Sequence, residues 1–454
     1  MMRVGYLCLQ TALLVLGGVW LANEPGTVTI VWREWRVDAQ IGILVLLIVC
    51  LVVFGITVYR SWQILRHGPM RLLSSHRLGR ERKGYRELTM GMVSLAAGDA
   101  SEALRHAYKA NSLLNEPNAG HLLIAEAAKL QGKMALAKEH YEAMSQTADA
   151  ALAGLRGLFE HAVLEGDHAT ALKLGAKIRE LKKDSIWLLP RYFQLKVAVR
   201  DWEGADEVLE DAIRRKAVPT DRGKRDRAYV LFERGKSALH KGDTATAIGF
   251  LREANDLHPG FWPAAIEYAR LLGEEGRKRR ALRVLEQAWS WGGAFKPVAE
   301  EYILLEQVMN PVDEYKLVKK LTAVSKNDPD ALLVLSEFAF EARLWGETRR
   351  HLEAFQEILP SENANKLLAV LEDVENDNTA AVDQWWQAAA TAAGDKVWIC
   401  TECHNQFIEW KSCCDSCNSF GLFKWQRPVD APSTVLIEQQ KVIPLLNRLD
   451  TKCL

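Results

Sequence analysis

The segment "LAAGDASEAL" at residues 95–104 returns along the chain at a fixed step, and this repetition indicates the architecture. In each copy a glycine is followed five residues later by an alanine, as with Gly98 and Ala103. The other clear copies are "KLQGKMALAK" (129–138), "VLEGDHATAL" (163–172), "LHKGDTATAI" (239–248) and "GEEGRKRRAL" (273–282). The glycines are 34 residues apart from Gly98 through Gly132 to Gly166, and again from Gly242 to Gly276.

Weaker copies fill the gap between Gly166 and Gly242 and continue the pattern beyond Gly276. "VAVRDWEGAD" (197–206) falls on the expected step, with Arg200 in place of the glycine. Eight extra residues separate it from the next copy, and we place them within 216–226. Tyr315, Thr348 and Ala381 then follow Ala281 at steps of 34, 33 and 33. The pattern therefore predicts about nine units, of which the last three or four are degenerate.

The repeated residue types fit a stack of helix hairpins. Glycine permits the turn between two helices, and alanine near the start of the second helix lets the two backbones approach closely. A third position lies one helical turn further on the same face, occupied by Ala107, Tyr141, Gly175, Leu209, Leu251 and Leu285. A helix–turn–helix period of this length resembles the tetratricopeptide repeat. We therefore predict an all-α solenoid over residues 87–395.

This solenoid is expected to bind a protein partner. Stacked repeats leave a concave face, which commonly receives a peptide or protein. The repeats contain no phosphate-binding loop, dinucleotide fingerprint, GxSxG motif or HExxH motif. Lys plus Arg equals Asp plus Glu at 58 each, so no overall positive field attracts nucleic acid. We interpret the chain as a binding protein, not an enzyme.

The N-terminal region, residues 1–60, predicts two membrane spans. Residues 4–22 and 39–59 contain no charged side chain. At about 1.5 Å per helical residue, each covers roughly the 30 Å hydrocarbon core. The alternating sequence between them predicts a short hairpin formed by residues 27–32 and 35–38.

Charge asymmetry predicts the orientation of these spans. Only Arg33 and Arg36 are basic between the spans. Eight basic residues follow the second span, most of them in the basic segment 61–86: Arg60, Arg66, Arg71, Arg77, Arg80, Arg82, Lys83 and Arg86. Basic residues favour the cytoplasmic side, so both termini are expected in the cytoplasm. The basic segment is either a contact with anionic lipid or a topology signal alone.

Near the C-terminus, residues 396–428 predict a four-cysteine metal ribbon, followed by a tail at 429–454. The ligands are the two CxxC pairs Cys400, Cys403, Cys414 and Cys417. Paired thiolates at this spacing suit tetrahedral zinc, and iron in the same cage would make a rubredoxin-like electron carrier. Cys413 is the spare thiol, and His404 is a remote substitute ligand. The aromatic residues of this segment are expected to form its small core: Trp398, Phe407, Trp410, Phe420, Phe423 and Trp425.

In each CxxC pair of this ribbon, the residue that follows the second cysteine is of an unusual type. Glycine commonly follows the second cysteine, where φ is positive, but His404 and Asn418 stand there. Asparagine tolerates that conformation more readily than histidine.

Several quoted segments together resemble a known family. Two apolar segments that enclose "PGTVTI" (25–30), a basic stretch and "GMVSLAAGDASEAL" (91–104) are similar to the N-terminal region of the HemY family. These are inner-membrane tetratricopeptide proteins of proteobacteria linked to haem biosynthesis. The C-terminus resembles the zinc ribbon of alphaproteobacterial members, through Trp398, Cys400, Cys403, Glu409, Trp410, Cys414, Cys417, Phe420, Trp425, Arg427 and Pro428.

The resemblance implies a multi-pass scaffold in the bacterial inner membrane, associated with enzymes of haem or porphyrin biosynthesis. An unrelated flavin-dependent oxidase shares the family name. Its activity is not expected in this chain, which lacks a dinucleotide fingerprint. Lipopolysaccharide assembly protein B has similar parts: one span, tetratricopeptide repeats and a rubredoxin-like end. It offers an alternative role as an adaptor that regulates an envelope enzyme.

Overall fold

The computed structural model describes residues 26–428 except 34, 115–116, 324–327 and 377, together with positions 12, 15, 16, 18, 19 and 23. The first predicted span at 4–22 therefore lies outside the continuously described part, and the tail at 429–454 lies wholly outside it. The chain divides into two compact units, residues 1–154 and 155–454.

The first unit begins with the predicted hairpin. Strand β1 (Thr27–Trp32) pairs antiparallel with β2 (Trp35–Gln40), in a register that runs from Thr27 opposite Gln40 to Trp32 opposite Trp35. Arg33 in the connecting turn has a φ of 54°, the left-handed conformation that short hairpin turns require. The alternating sequence thus correctly predicted this hairpin.

The hairpin leads directly into helix α1 (Ile41–Ala96), which is 56 residues long. Its first part, Ile41–Gln63, has a mean hydropathy of 3.2, and none of its apolar window is buried. Within the described residues it is the one helix long and apolar enough to cross a membrane, and it covers most of the second predicted span. The same helix continues through the basic segment and provides the first helix of the first repeat.

Three further helices complete the first unit, and α5 crosses its boundary: α2 (Ala100–Leu113), α3 (Pro117–Leu130), α4 (Met134–Ser145) and α5 (Ala151–Leu164). The end of α1 packs on α2, and α3 packs on α2 and α4. The core between the first helices contains Leu88, Ala107, Ala110, Leu114, Leu123 and Ile124.

The second unit is also helical and ends in a small sheet. Its helices are α6 (His168–Leu181), α7 (Leu188–Ala198), α8 (Trp202–Arg214), α9 (Thr220–His240), α10 (Thr244–Leu257), α11 (Trp262–Glu274), α12 (Lys278–Gly292), α13 (Lys296–Glu306), α14 (Pro311–Thr322), α15 (Pro329–Glu341), α16 (Trp345–Ile358), α17 (Glu362–Asn376) and α18 (Thr379–Thr391). Helix α9 has 21 residues, so the eight extra residues predicted near 216–226 lengthen the start of this helix.

The turns have the geometry that the repeated glycine predicts. The five glycines have φ values of +82°, +73°, +74°, +80° and +76°, at Gly98, Gly132, Gly166, Gly242 and Gly276. In the first turn, the Gly98 N–H donates to the Leu95 carbonyl at 3.1 Å and the Asp99 N–H to the Ser94 carbonyl at 2.9 Å, a Schellman motif. The Asp99 carboxylate then accepts from the Glu102 N–H at 3.0 Å and caps the next helix.

The repeated alanine is the fourth residue of each second helix from α2 to α12, and it is buried every time: Ala103, Ala137, Ala171, Ala205, Ala247 and Ala281. The third repeated position is buried as well, from Ala107 through Leu285. Tyr315 and Thr348 take the alanine's place in α14 and α16 and are also buried, whereas Ala381 in α18 is half-buried. These positions confirm a helix-hairpin array of the tetratricopeptide type.

Candidate metal centre

The four predicted ligands lie on a three-stranded antiparallel sheet and its loops. Strand β3 (Val397–Cys400) is central, between β4 (Gln406–Phe407) and β5 (Phe423–Gln426). Trp398 pairs with Phe407 on one side and with Trp425 on the other. We refer to residues 396–428 as the ribbon.

Two backbone knuckles with matching hydrogen bonds present the cysteines. In the first, the His404 N–H donates to the Cys400 carbonyl at 2.9 Å, and in the second the Asn418 N–H donates to the Cys414 carbonyl at 2.9 Å. His404 has a φ of 60° and Asn418 a φ of 55°. The left-handed conformation expected at these two positions is therefore present, although neither residue is glycine.

The four sulfur atoms are spaced as a tetrahedral metal requires. All four Sγ atoms lie within 4.8 Å of one another. The Cys400–Cys417 distance is 3.7 Å and the Cys403–Cys414 distance is 3.5 Å. Thiolates bound to one zinc ion at about 2.3 Å in a tetrahedron are roughly 3.8 Å apart. The residues present therefore fit a four-thiolate metal site.

Ser419 and backbone N–H groups favour the thiolate form in two of the four cysteines, Cys400 and Cys417. For Cys403 the Asn405 N–H lowers the pKa, but burial and the neighbouring thiols outweigh it and raise the pKa. The Ser419 Oγ lies 3.2 Å from the Cys400 Sγ and 3.1 Å from the Cys417 Sγ. Burial alone would raise the pKa of Cys400, but hydrogen bonds from Ser419 and from the N–H groups of Cys403 and Glu402 lower this pKa to about 6. The Ser419 hydroxyl is also the main cause that lowers the pKa of Cys417.

Cys413 lies apart from the sulfur cluster, as its spacing predicts. Its backbone forms an isolated antiparallel bridge with Phe420, and its side chain is half-buried. Burial raises the pKa of this thiol, which keeps it protonated. His404 is exposed and is not one of the four clustered residues. Within the described part of the chain, the sulfur cluster thus includes neither Cys413 nor His404.

The aromatic residues of the ribbon do not all form its own core. Phe407 and Phe423 pack on each other, with ring centroids 5.4 Å apart. Trp410, in contrast, lies against Tyr229 and Phe232 of α9, at 5.2 and 5.6 Å, and against Phe261 at 4.6 Å. The prediction that Trp410 fills the interior of the ribbon was therefore wrong, because the ring packs on the helical array.

Three other ribbon rings have the same role. Phe420 lies 5.5 Å from Phe193 of α7. Trp398 lies 5.7 Å from Trp262, at the start of α11, and Trp425 lies 5.1 Å from Phe295, just before α13. The contacted helices α7, α9, α11 and α13 are all first helices of their hairpins. The ribbon thus packs along the first helices of successive hairpins.

Polar contacts fix the two ends of the ribbon. Lys396 forms an ion pair with Asp330 of α15. The Arg427 Nη1 donates to the Pro360 carbonyl at 3.0 Å. Spacing alone could not place the ribbon, but its sequence carried one signal, since six aromatic residues exceed what so small a sheet can bury.

Solved structures similar to this chain match it with low TM-scores. "Structure of Naa15/Naa10 bound to HypK-THB" matches with a TM-score of 0.38 and 12% identity, over 68% of this chain and 54% of that chain. "Crystal structure of YrrB: a TPR protein with an unusual peptide-binding site" gives 0.29 and 13%, over 39% and 88%. "Functional Characterization of Pseudomonas Aeruginosa pilF" gives 0.23 and 18%, over 58% and 99%. The repeat assignment rests on the turns and buried positions of this chain itself.

A sequence relative spans nearly the whole chain. Over 446 residues the protein is 24% identical to "Probable magnetosome protein Mms48" of Magnetospirillum gryphiswaldense, covering 96% of both chains. Residues 26–132 match the family described as "HemY protein N-terminus". This segment comprises the hairpin and helices α1, α2 and α3, and over it the chain is similar to the N-terminus of HemY proteins.

Proposed function

We propose that the protein is a membrane-anchored scaffold that binds other proteins and has no catalytic activity of its own. One observation carries this proposal: the apolar segment Ile41–Gln63 and the first repeat helix belong to the same continuous helix α1. An anchor joined in this way holds the first repeat close to the membrane. Confinement to the membrane surface raises the effective concentration of a bound partner for enzymes in the same membrane.

The proposed location is the bacterial inner membrane, with two spans and both termini in the cytoplasm. The basic residues after Tyr59 and their scarcity between the spans support this orientation. Reporter fusions after residue 96 and within the hairpin test it. The first fusion should report the cytoplasm and the second the periplasm, and the reverse result would contradict the proposal.

The proposed metal is one structural zinc ion per chain. Four cysteine ligands close the coordination sphere and leave no position for a substrate, as in structural zinc sites. When bound, zinc would hold the two knuckles together, while Ser419 and the backbone N–H groups orient the thiolates. Elemental analysis of the purified chain tests this. A red, iron-loaded protein with a reversible redox couple would instead support the electron-carrier alternative.

The proposed process is haem or porphyrin biosynthesis, which the family name implies. The decisive experiment deletes the gene and measures cellular porphyrin and haem. Altered levels that are restored by the intact chain would support the proposal. Unchanged levels would favour the alternative adaptor role at an envelope or lipopolysaccharide-synthesis enzyme, and porphyrin turnover by the purified chain alone would contradict a scaffold without activity.

A further inference from the structure

The ribbon and the array share one buried core. One core cluster of the second unit includes helical residues from Ala228 to Ala339 together with Trp398, Cys400, Cys414 and Phe423 of the ribbon. Cys400 and Cys414 are fully buried, whereas Cys417 is exposed. Two of the four sulfur ligands thus belong to the same core as the repeat helices.

The ribbon cannot fold on its own apolar interior. Its buried residues are few, namely Trp398, Ile399, Cys400, Ser412, Cys414 and Phe423. Part of even this burial comes from the array, since Trp398 lies against Trp262. A module of this size needs a metal or another external support. The ribbon has two such supports, the metal site and the array.

The array presents an aromatic surface that matches the ribbon. We call it the docking face: Phe193, Tyr229, Phe232, Phe261, Trp262 and Phe295. Its centre is tight, because a Cβ added to Gly421 would lie only 2.9 Å from the Tyr229 ring. Helix α9 supplies Tyr229 and Asp226 to this centre.

We propose that metal binding and ribbon docking are thermodynamically coupled, so that the metal controls whether the docking face is covered. This inference rests on the proposed metal site. The argument is geometric: only a folded ribbon can present Trp398, Trp410 and Phe420 at their three separate places on the array. Without a metal the knuckles lose the bond that holds them together, and the rings lose their fixed spacing. Coupling of this kind is reciprocal, so docking must strengthen metal binding by the same factor.

Hydrogen–deuterium exchange on the full chain in detergent tests the first direction. Removal of the metal with a chelator under reducing conditions should increase exchange in residues 188–306, and added Zn²⁺ should restore protection. Residues 345–358 serve as the internal control, because Phe355 belongs to a separate core cluster without ribbon residues and Arg427 of the ribbon binds beyond this helix, at Leu359 and Pro360. Equal exchange in residues 188–306 with and without metal would overturn the coupling.

Metal affinity measured by chelator competition tests the reverse direction. Phe261→Leu on the array and Trp410→Leu on the ribbon should each raise the Kd for Zn²⁺ by roughly tenfold, although neither is a ligand; tenfold corresponds to about 1.4 kcal/mol. Phe355→Leu is the matched control, since Phe355 is fully buried in the other cluster, and its Kd should equal that of the unmodified chain.

The possible failures are distinguishable. A chain that purifies without metal and takes up none overturns both the proposed zinc site and the coupling. A chain that binds one zinc ion with the same Kd in all three variants overturns the coupling alone and leaves the proposed function intact.

Discussion

The indole ring of Trp410 lies 4.6 Å from the ring of Phe261, at an interplanar angle of 68°, in the edge-to-face arrangement that aromatic pairs prefer. One residue belongs to the ribbon and the other to the turn before α11. Their contact makes the ribbon a part of the array, where a sequence reading sees a separate module at the end of a solenoid.

Gly421→Ala should loosen the ribbon from the array. A Cβ at this position would lie 2.9 Å from the Tyr229 Cδ2, and the φ of +66° is itself unfavourable for alanine. We expect the free energy of unfolding of the second unit to fall by about 1–3 kcal/mol. Denaturant unfolding followed by tryptophan fluorescence measures this change.

Gly346→Ala is the matched control for that substitution. Gly346 lies in α16 with nothing within 4 Å of an added Cβ and no positive φ. Alanine has a higher helix propensity than glycine, so this variant should be at least as stable as the unmodified chain. Equal losses of stability in the two variants would contradict the proposed tight contact at Tyr229.

Cys414→Ser should remove the metal, whereas Cys413→Ser should leave it bound. Cys414 is fully buried with its Sγ 3.5 Å from that of Cys403, while Cys413 lies outside the sulfur cluster. Elemental analysis of the purified variants provides the measurement. Loss of metal from the Cys413 variant, with retention in the Cys414 variant, would reverse the ligand assignment.

Arg200→Gly should stabilise the second unit. Arg200 stands where five other repeats have glycine, and its φ of 57° is in the left-handed region. A non-glycine residue there costs about 1–2 kcal/mol, and the greater freedom of glycine in the unfolded chain offsets part of the gain. We expect a net gain of about 1 kcal/mol in the free energy of unfolding.

Arg343→Gly provides an independent repetition of that test. Arg343 has a φ of 60° in the turn between α15 and α16, where the sequence shows no clear copy of the glycine motif. Gly242→Ala is the converse control, because it places a Cβ at a φ of +80° and should destabilise the array. If the free energy of unfolding changed in none of the three variants, the claim that positive φ in these turns favours glycine would be wrong.

The local parts of this fold could be predicted from the sequence, because the residue type at one position decides them. Gly98 and Ala103 reveal a turn and a close helix contact, and their repetition reveals the array. The ligand knuckles are equally local. The place of the ribbon depends instead on contacts such as that of Phe420 with Phe193, and no periodicity links two such distant positions. The sequence therefore predicted the packing of Phe407 on Phe423 within the ribbon but not the contacts of Trp410 and Phe420 with the helical array.

The stability of the first unit should fall as the pH drops below about 6.5. The Nδ1 atoms of His121 and His140 lie 2.7 Å apart, so at least one ring must be neutral to accept the hydrogen bond. Burial, followed by the charge of His121, lowers the pKa of His140 from 6.5. Because the unfolded chain binds the proton more tightly, stability is fully present above pH 6.5 and declines as the pH falls towards the lowered value.

His140→Gln should flatten this decline, whereas His168→Gln should not. His168 is exposed at the start of α6 and serves as the control. Hydrogen–deuterium exchange in residues 117–145, measured from pH 7.5 to 5, follows the first unit by itself. A decline of the same size in the His140 variant would show that another group is responsible.

Deletion of residues 1–63 should abolish the cellular effect of the protein while the repeats remain folded. The buried residues of the first repeat, such as Leu88 and Ala107, all follow the removed segment. What is lost is the anchor, and with it the high local concentration of a bound partner at the membrane. Porphyrin and haem levels are measured in a strain that lacks the gene and carries each variant.

A second variant with a flexible Gly-Ser insertion after Gln63 keeps the span but interrupts α1, and it should retain function if confinement alone matters. Normal porphyrin and haem levels with the deletion variant would contradict the membrane-scaffold proposal. Altered levels with the insertion variant would show instead that the continuous helix must set the position of the first repeat.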